Sequence, residues 1–136
     1  MTYGMYHCIN ISSDDEGGGV LIRACEPLEE CIETMFTMRT AFNEKRKSKT
    51  KQKLPDRVDI CRGPSKLCIC FNITKAECDG ESLASSENLW IETAVNDDQI
   101  DVEVTKRIGL SKRAGLSASN MMRYCVKNCV YVSGVK

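Results

Sequence analysis

Pro27-Leu-Glu-Glu-Cys-Ile-Glu-Thr-Met-Phe-Thr-Met-Arg-Thr-Ala-Phe-Asn-Glu44 is the stretch on which the reading of the fold turns. Leu28, Cys31, Ile32, Met35 and Phe42 recur at helical spacing on one stripe, the pattern of a helix with one face in a core. Pro27 suits a first helical position, where its missing N–H costs nothing. Glu29, Glu30 and Glu33 lie in the first half, and Lys45 and Arg46 follow the last turn, so the charges match the helix dipole. The spacing predicts a helix over about residues 27–44, anchored in the core by Leu28, Ile32, Met35 and Phe42.

Working outward, residues 6–11 and 20–25 read as strands joined by Ser12-Ser-Asp-Asp-Glu-Gly-Gly-Gly19, a loop of turn formers. Beyond the helix, residues 45–53 carry Lys or Arg at six of nine positions and run into Leu54-Pro55. Residues 57–61 and 66–74 read as a hairpin around Arg62-Gly-Pro-Ser65, with Leu67, Ile69, Phe71 and Ile73 opposite Cys68, Cys70 and Asn72. Residues 77–88 are polar, and 89–95 with 100–105 form a second hairpin around Asn96-Asp-Asp-Gln99. Ile100-Asp-Val-Glu-Val-Thr105 alternates strictly, so one face should be buried and the other wet. Ser117 or Ser119 caps a closing helix to about Asn128, striped by Met122, Cys125, Val126 and Cys129, and 130–132 adds a last strand. The order β-β-α-β-β-β-β-α-β describes an α+β protein with a mainly antiparallel sheet and two helices. Its 136 residues fit a single domain, with a Lys/Arg-rich loop at about 45–54.

Nine cysteines would read as a disulfide framework in a small secreted domain. Here the count is odd and most of them sit inside apolar patterns, where free cysteine behaves as a small buried hydrophobe. Met1-Thr-Tyr-Gly-Met-Tyr-His-Cys8 has neither the basic nor the apolar region of a signal peptide, and no apolar run approaches the ~18 residues of a membrane span. The expectation is an intracellular chain, cytoplasmic or nuclear, with reduced cysteines and no membrane partner.

Net charge is zero but falls in blocks. Residues 1–36 hold seven carboxylates and one cation, Arg23; residues 45–75 hold ten cations and two carboxylates. Residues 77–103 hold nine carboxylates and no cation, and residues 104–136 seven cations and no carboxylate. Exposed ion pairs contribute only about 0–1 kcal/mol each, so stability does not account for the partition. Two basic segments sharing one patch would suit nucleic acid or an acidic protein surface. The candidates in the first segment are Lys45, Arg46, Lys47, Lys49, Lys51 and Lys53. Those in the second are Lys106, Arg107, Lys112, Arg113, Arg123 and Lys127. Few aromatic residues lie near them, which favours phosphate contacts over base stacking.

Other chemistry is thinner. Cys61, Cys68, Cys70 and Cys78 are the candidate metal ligands, but their spacing lacks the short C-x2–4-C knuckle usual at zinc sites. His7 is the sole histidine, so acid–base options are narrow, and Gly17-Gly-Gly19 lacks the Gly-Lys-Ser/Thr of a phosphate loop. No cofactor is implied.

Phe42-Asn-Glu-Lys-Arg46 followed by Lys53-Leu-Pro-Asp-Arg-Val58 resembles the early segment of the autophagy-type ubiquitin-like modifiers. The match spans about 17 residues, its spacing is shorter, and the following strand has no counterpart, so it decides neither fold nor function. The function expected from the residues is a non-enzymatic intracellular binding module, of the kind found in viral or regulatory accessory factors, that uses its basic surface. The alternative is an assembly subunit, or homo-oligomer, pairing through a strand edge at 100–105 or 130–132. A zinc-binding or thiol-dependent protein is the distant third.

Overall fold

The stretch that decided the reading does form a helix. The computed structural model describes residues 6–46, 55–93, 100–110, 115 and 117–134. A 3-10 turn, Glu29–Cys31, leads into α1, Ile32–Lys45. Ile32 and Met35 are buried as the stripe predicts, and Phe42 is half-buried, its ring centroid 5.9 Å from that of Tyr6. Leu28 is not a core residue. It is extended (φ −66, ψ 146) and 65% exposed, because the helix opens after the 3-10 turn and leaves Leu28 off the stripe.

The core gathers where α1 meets the next segment. Met35, Ile60, Cys61 and Cys70 form the buried cluster, with Cys25, Cys31 and Phe36 packed against it. Arg39 Nη1 donates to the Ile60 carbonyl at 3.2 Å, tying α1 to that segment.

Residues 57–61 and 66–74 are not a hairpin. The first is a turn, in which the Asp59 amide donates to Asp56 Oδ1 at 2.8 Å. The second is α2, Pro64–Cys70, with Pro64 at its first turn and Leu67, Cys68 and Cys70 buried. A short apolar run suits helix or strand equally; here Pro64 after Gly63 opens a helix. Asn72, at φ 52, then closes it: the Ile73 amide reaches Cys68 O at 2.8 Å and the Asn72 amide reaches Ile69 O at 3.2 Å. That pair of bonds is the Schellman helix stop. One further turn, α3 (Lys75–Cys78), follows.

The strands are short. β1, Asn10–Ser12, pairs antiparallel with β2, Gly19–Leu21, with Ile11 opposite Val20. β3, Val102–Thr105, pairs antiparallel with β4, Arg123–Val126, with Val104 opposite Tyr124. β4 replaces the expected closing helix. Met121-Met-Arg-Tyr-Cys-Val126 carries a two-residue alternation as well as a helical one, and cross-strand pairing with β3 settles it. Residues 89–93 form no strand, and 130–132 lie in turns.

The α+β class stands, with few helices and short antiparallel sheets. The nine-element order does not: among the described residues the strands make two separate two-stranded sheets and three helices lie between them. Most of the expected Lys/Arg-rich loop, 47–54, lies outside the described residues. Among those described, no helix is long and apolar enough to cross a membrane.

Candidate nucleic-acid interface

The chain leaving β2 carries Arg23, and Ala24 then bridges to Arg62. Arg62 Nε donates to Val132 O at 3.1 Å, so this crossing also holds the chain beyond β4. Arg23 is thereby brought against the second basic block. Its neighbours include Arg123 and Arg107, and its Nη2 lies against Gly109, where a Cβ would stand 3.7 Å away. Burial, followed by the charge of Arg123, holds the Arg23 guanidinium below its usual pKa; Cys8 acts the other way and Arg107 adds to the fall. Among the described residues no carboxylate acts on it, and its Nε is buried with no hydrogen-bond partner.

Arg123 is fixed by two bonds, to Thr105 Oγ1 at 3.0 Å and to the Ser133 carbonyl. Three arginines from three parts of the chain therefore converge. Such a gathering is unfavourable by itself and becomes favourable when an anion enters. The planar five-donor fork of arginine suits a phosphate.

The segment Tyr6–His7–Cys8 links this cluster to the end of α1. Cys8 neighbours both Arg23 and Cys68, while Tyr6, His7, Lys45 and Cys68 line a cavity of about 130 Å³. Arg46 donates to the Tyr6 hydroxyl and sits 5.4 Å from the ring centroid, a cation–π arrangement. Lys45 and Arg46 thus border the same segment whose far end meets the arginines.

The other sequence candidates divide. Arg107 and Arg123 join Arg23, whereas Lys127 pairs with Asp101 at 2.9 Å and Lys106 is exposed. Lys47, Lys49, Lys51, Lys53, Lys112 and Arg113 lie outside the described residues. Arg23 was missed by the sequence reading. Its signal was its isolation as the one cation among seven carboxylates in residues 1–36.

The four zinc candidates do not converge. Cys61 and Cys70 belong to the core cluster with Cys25, while Cys68 neighbours Cys8 and Cys78. No group of three or more metal-ligating side chains is found among the described residues. Pro64 turned the run into a helix, and the helix sent Cys68 and Cys70 to different neighbours. None of the nine cysteines is in a disulfide. Hydrogen bonding with Cys61, then burial, pushes Cys25 and Cys70 above the usual thiol range. Burial, then the nearby Cys8, pushes Cys68 up to about 11.

Comparison with known proteins gives these features a setting. Residues 1–130 match the family model described as methylpurine-DNA glycosylase. Over 134 residues the chain is 40% identical to the human protein named DNA-3-methyladenine glycosylase, covering 98% of this chain and 43% of that one. It is 38% identical over 135 residues to the rat protein of the same name, covering 99% and 40%. It is 35% identical over 134 residues to an Encephalitozoon cuniculi protein named "Probable DNA-3-methyladenine glycosylase", covering 98% and 58%. The chain therefore spans between about two-fifths and three-fifths of these relatives. The expectation of a non-enzymatic binding module is overturned, since the matching family is one of DNA repair enzymes. The short resemblance to ubiquitin-like modifiers gives way to a match over nearly the whole chain. Of the two partner classes expected, this kinship agrees with nucleic acid.

Proposed function

The chain belongs to the methylpurine-DNA glycosylase family, and on that premise we propose that it holds duplex DNA for removal of a methylated purine. The observation that carries this reading is Arg23, whose Nη2 lies against Gly109 and whose Nε is buried without a hydrogen-bond partner among the described residues, with the charges of Arg123 and Arg107 acting on it and no carboxylate among the described groups that do. A glycosylase must turn its target nucleotide out of the stack, at a cost of a few kcal/mol in unstacking and unpairing. Arginine forks on the backbone phosphates beside that nucleotide would offset the cost and fix the strand. In this reading Arg23 supplies the inner contact, desolvated and poised, and Arg107 and Arg123 the flanking ones. Lys45 and Arg46 extend the contact along the Tyr6–Cys8 segment. Lys47, Lys49, Lys51, Lys53, Lys106, Lys112, Arg113 and Lys127 add a longer-range field that attracts the polyanion. Location with DNA inside the cell, cytoplasmic or nuclear, agrees with this substrate.

The test is release of methylated purine from a duplex oligonucleotide, read as abasic sites cleaved by alkali, alongside binding followed by fluorescence anisotropy. The expected result is release by the protein with the natural arginines and at least a tenfold slower release by Arg23→Gln. Release unaffected by Arg23→Gln, or no binding to any duplex at about 50 mM salt, would overturn the reading. Changing Lys47, Lys49 and Lys51 together to Ala should weaken binding about equally on all sequences, as expected of phosphate contacts.

A further inference from the structure

Where the chain leaving β2 crosses the segment before α2, two thiols stand face to face. Ala24 bridges Arg62 in antiparallel sense, and the same register places Cys25 opposite Cys61. Residues opposite one another in an antiparallel pair have Cα atoms about 4.5–5.5 Å apart, inside the roughly 4.4–6.8 Å that a disulfide spans. Cys25 packs against the core cluster that holds Cys61 and Cys70, and its thiol is within hydrogen-bonding reach of the Cys61 thiol. Cys61 is fully buried, whereas Cys25 is half-buried and forms the side of the pair that solvent reaches. The surroundings of Cys61 favour its thiolate. Hydrogen bonds from Cys25 and then Cys70 hold it well below the usual thiol range; burial opposes them and the Arg39 charge assists. A lowered pKa of this kind makes a cysteine the nucleophile of its neighbourhood. Cys70 also reaches Cys61, but it stands on α2 with its thiol committed to the Ile60 carbonyl at 3.3 Å.

We propose that Cys25 and Cys61 are an oxidisable dithiol that hydrogen peroxide closes into a disulfide, stapling the crossing on which Arg23 and Arg62 sit. The chemistry balances in two steps. The Cys61 thiolate attacks one oxygen of hydrogen peroxide; the O–O bond breaks, Cys61 becomes a sulfenic acid, and the hydroxide released takes up the proton that the thiol gave. The Cys25 sulfur then attacks the Cys61 sulfur; the S–O bond breaks, the S–S bond forms, and the departing hydroxide leaves as water with the Cys25 proton. Two thiols and one peroxide thus give one disulfide and two waters, and two electrons pass from sulfur to the peroxide. Hydrogen peroxide is little larger than water and enters on the Cys25 side, through the local openings that folded chains undergo. The bond would close a loop that contains all of α1. Such a staple stabilises by restricting the unfolded chain, the more so the longer the loop. The proposal goes beyond the DNA reading and none of its readouts contains DNA, so either can fail alone.

The experiment is treatment of the folded chain with excess hydrogen peroxide, capture of the remaining thiols by an alkylating reagent, and peptide mapping by mass spectrometry. The expected product is one linked pair, Cys25 with Cys61, lighter by two hydrogens and restored by a dithiol reductant. The oxidised chain should melt at least about 5 °C above the reduced one, as a staple over a long loop predicts. Cys25→Ser keeps the size of a half-buried side chain. It should gain nothing in melting temperature on oxidation and should leave Cys61 as a sulfenic acid that a cyclic diketone traps. Cys70→Ser should still form the Cys25–Cys61 bond. Circular dichroism of α1 and α2 shows that each variant is folded before oxidation. Three results would overturn the proposal. The first is a folded chain in which excess peroxide leaves Cys25 and Cys61 unlinked. The second is a bond that maps to Cys61 with Cys70, or to any other pair. The third is an oxidised chain that melts no higher than the reduced one, or a Cys25→Ser chain that gains as much.

Discussion

Along α1 and α2 the apolar side chains meet one another; along β3 and β4 they meet solvent. Met35 from α1 and Cys70 from α2 close over Ile60 and Cys61, which have no exposure at all. Val102, Val104 and Tyr124 project from a sheet with two strands and one open face. Stability in this chain therefore resides in the helical region. The helical region supplies both sides of its core, whereas the hairpin supplies one. The proposed DNA-binding cations divide along the same line: Arg123 lies on the hairpin beside Arg23, while Lys45 and Arg46 close α1 next to Tyr6.

The comparison can be broken most sharply by truncation. Ile60→Ala should cost roughly 2–5 kcal/mol of stability by chemical denaturation, as expected of a large-to-small change in a filled core. A drop below about 0.5 kcal/mol would show that the helical core is not the stabilising region. Next in size is the effect of Arg23→Gln on DNA affinity. Removing a charge-assisted hydrogen bond worth about 1.5–3 kcal/mol should weaken binding by roughly 10- to 150-fold. An unchanged dissociation constant, with the fold intact, would detach Arg23 from the interface.

A pH titration sharpens the picture of the thiols behind the site. Cys68 keeps its proton in the folded chain up to about pH 11, against an ordinary value of 9.0. Between those values the unfolded chain releases a proton that the folded chain retains. The contribution is therefore complete below about pH 9 and disappears as pH rises towards 11. Denaturation midpoints should fall through this window, and less so in Cys68→Ala; a flat profile would contradict the assignment. The smallest expected effect is that of Val104→Ala, within about 0.5 kcal/mol for the chain alone. A cost comparable to that of Ile60→Ala would mean that the hairpin face is already covered.

The same contrast explains what could be read from the sequence. The helix over α1 was legible because Cys31, Ile32 and Met35 repeat at a spacing that only a helix turns to one side. Its start was misplaced at Pro27 because a proline suits an extended lead-in as well as a first turn. The runs 66–74 and 121–126 were legible as apolar segments but not as elements, since each fits both periods. Gly63-Pro64 decided one for helix, and pairing with Val102–Thr105 decided the other for strand. The second block was legible as a run of cations, and of these Arg107 and Arg123 are the two whose charges act on Arg23. Arg23 was not, because its meeting with Arg123 depends on the Ala24–Arg62 bridge and the Arg62–Val132 bond. Those long-range contacts leave no trace in local spacing. The enzyme class was equally hidden, since no acid–base pair or metal motif in the chain declares it.

If Arg23 and Arg107 are phosphate ligands, the salt dependence of duplex binding shows it most directly. Removing one phosphate ligand should reduce the slope of log affinity against log salt by about 0.9 on duplex DNA. With Arg23→Gln and Arg107→Gln combined, the slope should be shallower by nearly two, and affinity at low salt should fall at least tenfold. An unchanged slope and unchanged affinity in a folded double variant would contradict the assignment of both arginines.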